Sequence, residues 1–173
     1  MTLELDSGKV EMAGIVSCLK KYMQYRIVSL FCKRKKTRMI LKIEHLGFAV
    51  SDAGKAIQTF EKLLGTSRTK VEDVASENVK THFFRTGESQ IELLESTDPD
   101  GVISKFIEKR GKGMHHIAFL TDDLEEEMKR LKAEGFEFIS ENPKKGADNK
   151  LICFLHPKTT EGVLVELCQD LNP

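Results

Sequence analysis

The chain of 173 residues is 40% hydrophobic and 31% charged, which suits one globular domain with a substantial core. Its formal net charge is zero, but residues 43–173 hold 17 basic and 24 acidic side chains, which argues against nucleic acid as the main partner. Four cysteines without a CxxC pair argue against a secreted disulfide scaffold. No apolar run reaches the about 20 residues that a membrane span needs, and we expect a cytoplasmic protein.

The first 42 residues differ from the rest in charge. They hold ten basic and three acidic residues, and no acidic residue lies between Glu11 and Glu44. A membrane-surface helix and a transit peptide are two functional interpretations. The simpler one is a disordered tail, or a stretch upstream of a natural start at Met39. We expect residues 1–38 to be a basic extension that is disordered or not native, and residues 39–173 to form the domain.

We predict that a chain starting at Met39 folds and keeps the activity of the full chain, because every periodic segment begins after the extension. Circular dichroism and an activity assay of the truncated protein would check this. An insoluble or inactive truncated chain would contradict it.

The first half of the domain reads as a strand, a helix and further strands. An apolar strand at residues 43–50 leads into a helix at 53–64. Ser51 and Asp52 suit the start of that helix and Gly65 suits its end. Two strand-like runs and a connecting helix follow, at residues 80–85, 90–95 and 98–112.

The second half repeats this order with a strand, a helix and two strands, at residues 114–120, 124–133, 150–155 and 163–168. The first strand of each half carries a histidine, His45 or His116, and the last carries a glutamate, Glu92 or Glu166. The histidine precedes the glutamate by 47 residues in one half and by 50 in the other. These matches predict two related modules.

Strand alternation predicts which face of each module lines a cavity. Successive side chains on a strand point to opposite sides. In the first strand, His45 shares its face with the small residues Gly47 and Ala49, while bulky apolar residues occupy the other face. By the same alternation, His116 faces the cavity in the second module and His115 falls on the packing side.

The four matched residues suit a metal ion. A lone histidine or glutamate on a strand is usually a core or surface group. Repetition at matching positions favours a shared site, since a carboxylate among apolar residues is costly unless it is paired or bound to a metal. Imidazole and carboxylate ligands suit a divalent ion with open positions for substrate. We expect Cys153 and Cys168 to be buried free thiols.

At the level of the whole domain, residues 43–168 resemble the vicinal-oxygen-chelate superfamily, which includes glyoxalase I, bleomycin-resistance proteins and extradiol dioxygenases. The resemblance rests on the two module signatures. It implies an α+β fold of two tandem βαβββ modules, at about 43–97 and 114–169, whose curved mixed sheets enclose a metal site.

A narrower resemblance is to the methylmalonyl-CoA epimerase family. It rests on four motifs: GMHHIAF at 113–119, PKKG at 143–146, FLHPK at 154–158 and GVLVELCQ at 162–169. It implies interconversion of (R)- and (S)-methylmalonyl-CoA by removal and return of the α-proton through an enolate.

The epimerase resemblance also implies site residues and partners. It makes His45, Glu92, His116 and Glu166 the metal ligands, although some family members have Gln at the position of Glu92. It makes Glu166 a catalytic base as well. It implies a divalent ion, with Co²⁺ first and Mn²⁺, Ni²⁺ or Zn²⁺ as alternatives, a coenzyme A thioester substrate and a homodimer.

The sequence departs from the family pattern at one position. Thr81 stands where some members have a second catalytic Glu, and threonine is a poor base at neutral pH. Water or Glu77 are the alternatives, and His82 should face away. The phosphates of coenzyme A could contact four lysines, which could equally be solvated: Lys144, Lys145, Lys150 and Lys158.

Two other functions stay open. One is a glyoxalase I-type lactoylglutathione lyase, which uses a similar set of ligands. The other is a non-catalytic, small-molecule-binding member of the superfamily. Members of that kind generally lack the metal ligands, so four intact candidates count against it.

Overall fold

The computed structural model describes residues 40–171. The extension predicted for residues 1–38 lies outside the described residues, and the domain boundaries stay a prediction. Within residues 40–171, no helix is long and apolar enough to cross a membrane.

The first module is a strand, a helix and three strands. Helix α1 is capped at both ends: Asp52 accepts a hydrogen bond from the Lys55 backbone N–H, and Gly65 adopts the left-handed conformation with φ of 65°. The elements are β1 (Ile40–Val50), α1 (Ala53–Leu64), β2 (Lys70–Val74), β3 (Val79–Thr86) and β4 (Ser89–Ser96).

The second module repeats the first after a connecting helix. Asp123 caps α3 by accepting from the Glu126 backbone N–H, as Asp52 caps α1. The connector is α2 (Val102–Arg110), and the module comprises β5 (Gly113–Thr121), α3 (Leu124–Ala133), β6 (Lys144–Lys145), β7 (Lys150–Leu155) and β8 (Val165–Asp170).

All eight described strands form one mixed sheet in the order β2-β3-β4-β1-β5-β8-β7-β6. The first strand of each module runs parallel to its last, β1 with β4 and β5 with β8. The two first strands pair antiparallel and join the modules at the centre. The predicted fold class, two tandem βαβββ modules in an α+β fold, is confirmed.

Helices α1 and α3 cover the side of the sheet predicted to pack. Phe48 and Phe60 pack against the core cluster of the first module, which is built around Phe84 and Leu93. In the second module, Phe119 packs against the cluster that joins α3 to β7 and β8. Cys153 and Cys168 are buried free cysteines, as expected. The histidine-bearing side of β1 and β5 is thereby left to the site.

Candidate metal centre

Three of the four residues predicted to bind a metal converge. His45 Nε2 lies 2.9 Å from His116 Nε2. Glu166 Oε2 lies 3.9 Å from His45 Nε2 and 3.6 Å from His116 Nε2. An ion with ligand distances of about 2.0–2.2 Å holds neighbouring ligand atoms roughly 3–4 Å apart. The separations of the three atoms are therefore those expected of three ligand atoms bound to one ion.

Glu92 lies beside this cluster. Its side chain is as buried as that of Glu166, but its Oε1 lies 3.6 Å from Nδ1 of His45, the ring nitrogen that does not face His116. The group of residues that could hold a metal is His45, His116 and Glu166. The fourth position assigned to Glu92 stays a prediction.

Each candidate histidine follows an extra residue in its strand. Along the β1–β5 pair the register slips at Glu44, between Ile43 and His45, and again at His115, opposite Gly47 and Phe48. Such β-bulges re-aim a side chain that strict alternation would send to the other face. Glu44 and His115 therefore reach the same side of the sheet as the histidines that follow them.

Both bulge residues contact the ring nitrogen that faces away from the cluster. Glu44 Oε2 lies 2.5 Å from His45 Nδ1, so the carboxylate accepts from the imidazole N–H. His115 Nδ1 lies 2.9 Å from His116 Nδ1. These contacts leave the Nε2 atoms of His45 and His116 facing each other. Metal-binding histidines commonly have such a partner on the other ring nitrogen, which fixes the orientation of the ring.

The interpretation of His115 as a packing-side residue is wrong. Its ring lines the same cavity as His116 and packs edge-on against Phe106 of α2. The bulge is the physical reason, because the extra residue breaks the alternation on which the interpretation rested. Glu44 was missed for the same reason. The signal available in the sequence was that a polar residue precedes the histidine in both modules.

Small residues make room for the two imidazoles. His45 stands opposite Ala118 and His116 stands opposite Gly47 across the β1–β5 pair. A Cβ atom placed on Gly47 would lie 2.7 Å from Nδ1 and 2.8 Å from Nε2 of His116. The small residues predicted beside His45 are therefore what allows the rings to meet.

We predict that Gly47→Ala lowers the affinity for a divalent ion at least tenfold, because the new methyl group overlaps the His116 ring and must displace it. Metal titration of the folded variant measures this. Gly54→Ala is the matched control, since a Cβ on Gly54 meets nothing closer than 3.5 Å. Equal metal affinities for the two variants would contradict the prediction.

Charge at the site favours a cation. The carboxylates of Glu44, Glu92 and Glu166 are buried, and Lys150 is the one buried lysine among the described residues. With the imidazoles neutral and the carboxylates ionised, as metal binding requires, this leaves two negative charges, which one divalent ion would neutralise. Burial raises the pKa of Glu92 to about 7 and that of Glu166 to about 8. The donor set and its charge therefore fit a divalent metal ion.

The histidines respond to these charges in opposite ways. Burial would lower the pKa of His45, but the three glutamates outweigh it and raise that pKa to about 9. Burial, with His45 and His115 nearby, holds the pKa of His116 well below its usual value. Burial would also raise the pKa of Glu44, but His45, Lys150 and Gln90 hold it at about 2. Glu44 is therefore a charged hydrogen-bond acceptor.

The cluster opens into a cavity of about 270 Å³ with largely apolar walls. His116 and Glu166 line it, and so does Thr81, the residue at the position of the family's second base. His82 contacts Arg68 and Glu95 and is not among the lining residues, as expected. The cavity thus gives access to two of the candidate ligands, His116 and Glu166.

Residues 44–154 match the family model described as the Glyoxalase/Bleomycin resistance protein/Dioxygenase superfamily. The chain belongs to this glyoxalase superfamily. One similar protein is the ethylmalonyl-CoA/methylmalonyl-CoA epimerase of Cereibacter sphaeroides. It is 35% identical over 76% of this chain and 99% of its own length.

Solved structures of the glyoxalase superfamily also match. Methylmalonyl-CoA epimerase from Mycobacterium tuberculosis is 31% identical, with a TM-score of 0.73 over 78% of this chain and 91% of that chain. A methylmalonyl-CoA epimerase in complex with methylmalonyl-CoA and NH4+ is 28% identical, with a TM-score of 0.72 over 78% of this chain and 97% of that one. The sequence matches and the structure matches therefore point to the same superfamily.

The four lysines considered for coenzyme A differ in position. Lys150 is buried, and its Nζ lies 2.6 Å from Asp170 Oδ1 and 3.4 Å from Glu44 Oε1. It therefore pairs with the glutamate that contacts His45. Lys158 pairs with Glu137 at the surface, and Lys145 is exposed. Lys144 lines the cavity. Phosphate contacts thus remain a prediction for the three that are not buried.

Proposed function

We propose that the protein interconverts (R)- and (S)-methylmalonyl-CoA. The observation that carries this is the convergence of two imidazole Nε2 atoms and one carboxylate oxygen at a cavity, in a chain similar to epimerases along its whole domain. The relative in complex with methylmalonyl-CoA supports a coenzyme A thioester as the substrate.

His45, His116 and Glu166 hold the metal in this proposal, and Glu92 supplies a fourth ligand. Co²⁺ is the proposed ion, with Mn²⁺, Ni²⁺ and Zn²⁺ as alternatives. A divalent ion held by these residues would supply a Lewis acid that stabilises an enolate oxygen of the thioester. Glu44 fixes the orientation of His45 through the hydrogen bond to Nδ1.

Glu166 removes or returns the α-proton as the catalytic base. Its carboxylate lines the cavity beside the candidate metal cluster, which places it within reach of the α-carbon of a thioester bound there. Epimerisation needs a second proton donor on the opposite face. Thr81 lines the cavity but is a poor base, so the second group is water or Glu77, which also lines the cavity.

A coupled assay tests the proposal against its main rival. The metal-loaded protein is given (S)-methylmalonyl-CoA in one assay and a glutathione hemithioacetal in another. We expect turnover of the first only. Turnover of the hemithioacetal alone would identify a lactoylglutathione lyase, and tight binding without turnover of either would favour a non-catalytic member. The homodimer and the cytoplasmic location stay predictions.

A further inference from the structure

The two carboxylate oxygens of Glu44 have different partners. Oε2 contacts His45 Nδ1, whereas Oε1 lies 3.4 Å from Lys150 Nζ and accepts a hydrogen bond of 3.2 Å from Gln90 Nε2. Glu44 and Lys150 are both buried. A buried carboxylate is costly unless a cation pairs with it, so Lys150 stabilises the position that Glu44 takes behind His45.

Lys150 reaches Glu44 from the other module. Glu44 belongs to β1, and Lys150 begins β7, where it stands opposite Asp170 and donates to its Oδ1 over 2.6 Å. The turn before Lys150 contacts the first module, because Asp148 Oδ1 lies 3.0 Å from Lys70 Nζ on β2. The pair of Lys150 and Glu44 is therefore part of the contact between the two modules.

Glu44 determines which nitrogen of His45 is available to a metal ion. An ionised carboxylate can only accept a hydrogen bond, so the imidazole carries its proton on Nδ1 and leaves the lone pair of Nε2 free. If the carboxylate turned away, the ring could rotate or carry the proton on Nε2, and it would bind a cation less well. The position of Glu44 therefore affects the affinity of the centre for a metal.

We propose that Lys150 is a positioning residue of the metal centre, which holds Glu44 against His45 and thereby strengthens the binding of a divalent ion. This rests on the proposed function, in which His45 binds that ion. A charge effect alone has the opposite sign, because removal of a positive charge near the site strengthens the binding of another cation. A purely structural role leaves the metal affinity of the folded protein unchanged.

Titration of the metal-free, full-length protein with Co²⁺ tests this. We expect Lys150→Met to bind Co²⁺ about tenfold more weakly, at the lower end of the usual effect of losing a partner behind a metal ligand. The visible absorption bands of bound Co²⁺ should also change, since they respond to ligand geometry. Lys150→Arg should recover most of the affinity, because it keeps the charge and the donors.

Lys70→Met is the matched control. It removes the same charge from the same contact between the modules, but Lys70 pairs with Glu72 and Asp148 and not with Glu44. Its Co²⁺ affinity should stay within about twofold of wild type, an effect no larger than that of an exposed ion pair.

A double variant tests whether Lys150 acts through Glu44. We expect Glu44→Gln alone to weaken Co²⁺ binding about tenfold or more. Addition of Lys150→Met to Glu44→Gln should weaken it by no more than about twofold, because no carboxylate is left to hold in place. Circular dichroism shows whether each variant is folded. If Lys150→Met does not fold, Gln90→Leu decides, since it removes the other donor to Glu44 Oε1 and should weaken Co²⁺ binding about threefold.

Four results would overturn the inference: unchanged or tighter Co²⁺ binding by folded Lys150→Met, equal losses in Lys150→Met and Lys70→Met, additive losses in the double variant, or, where Gln90→Leu decides, its unchanged affinity. If the wild-type protein binds one Co²⁺ ion and His116→Ala abolishes that binding, any of these removes the role of Lys150 and leaves the metal centre of the proposed function intact. If the wild-type protein binds no Co²⁺ at this site, both fail.

Discussion

Glu166→Gln is expected to lower kcat by about 10²–10⁴-fold, the usual contribution of a positioned acid or base, with little change in KM. Glutamine keeps the shape of the side chain and can still offer an oxygen to the metal, but it cannot accept the α-proton. We expect binding of the proposed substrate to depend mainly on its nucleotide and pantetheine, which do not take part in the proton transfer. Steady-state kinetics of the folded, metal-loaded variant measure both constants.

Glu92→Gln is the matched control for that prediction. Glu92 occupies the equivalent place in the first module and is equally buried, but it lies beside His45 Nδ1, whereas Glu166 faces the two Nε2 atoms. We expect its turnover to stay within about tenfold of wild type, since glutamine can still offer an oxygen to a metal. Near-normal turnover of Glu166→Gln with metal still bound would leave Glu166 a ligand only.

His116→Ala is expected to abolish stoichiometric metal binding, which we predict to be about one divalent ion per chain in the wild-type protein. The variant loses one of the three atoms that face each other, and the remaining pair, His45 Nε2 and Glu166 Oε2, is 3.9 Å apart. Elemental analysis after dialysis measures the metal content, and circular dichroism shows whether the variant is folded.

His156→Ala serves as the control for metal content. His156 is exposed and caps the short turn before β8, so its removal should leave metal binding unchanged. Full metal content in a folded His116→Ala variant would contradict the site assignment. Equal loss in both variants would show that the metal binds elsewhere.

The repeat made the centre of the fold predictable. His45 and His116 lie on paired first strands, and Glu166 lies on a strand parallel to the second of these. Pairing of the two first strands brings the histidines at their matching positions together. The repeat thus pointed to three residues that converge, whereas Glu92, at the fourth matching position, lies beside the cluster. The short outer strands β2 and β6 were not located, because edge strands carry little hydrophobic pattern.

Hydrophobic periodicity did not predict the side chains that contact the Nδ1 atoms of His45 and His116. Glu44 and His115 reach the site only because each occupies a bulge, and a single inserted residue leaves no periodic trace. Lys150 follows a loop with two left-handed residues, Asp148 and Asn149, and its burial beside Glu44 depends on how that loop returns. Such placements depend on long-range pairing, which local periodicity does not encode.

The most direct test of the account is conversion of (S)-methylmalonyl-CoA in heavy water by metal-loaded and metal-stripped protein. We predict that the loaded protein forms the (R)-epimer and incorporates deuterium at the α-carbon, and that the stripped protein does neither until a divalent ion is restored. Absence of both epimerisation and α-exchange in folded, metal-loaded protein would contradict the account.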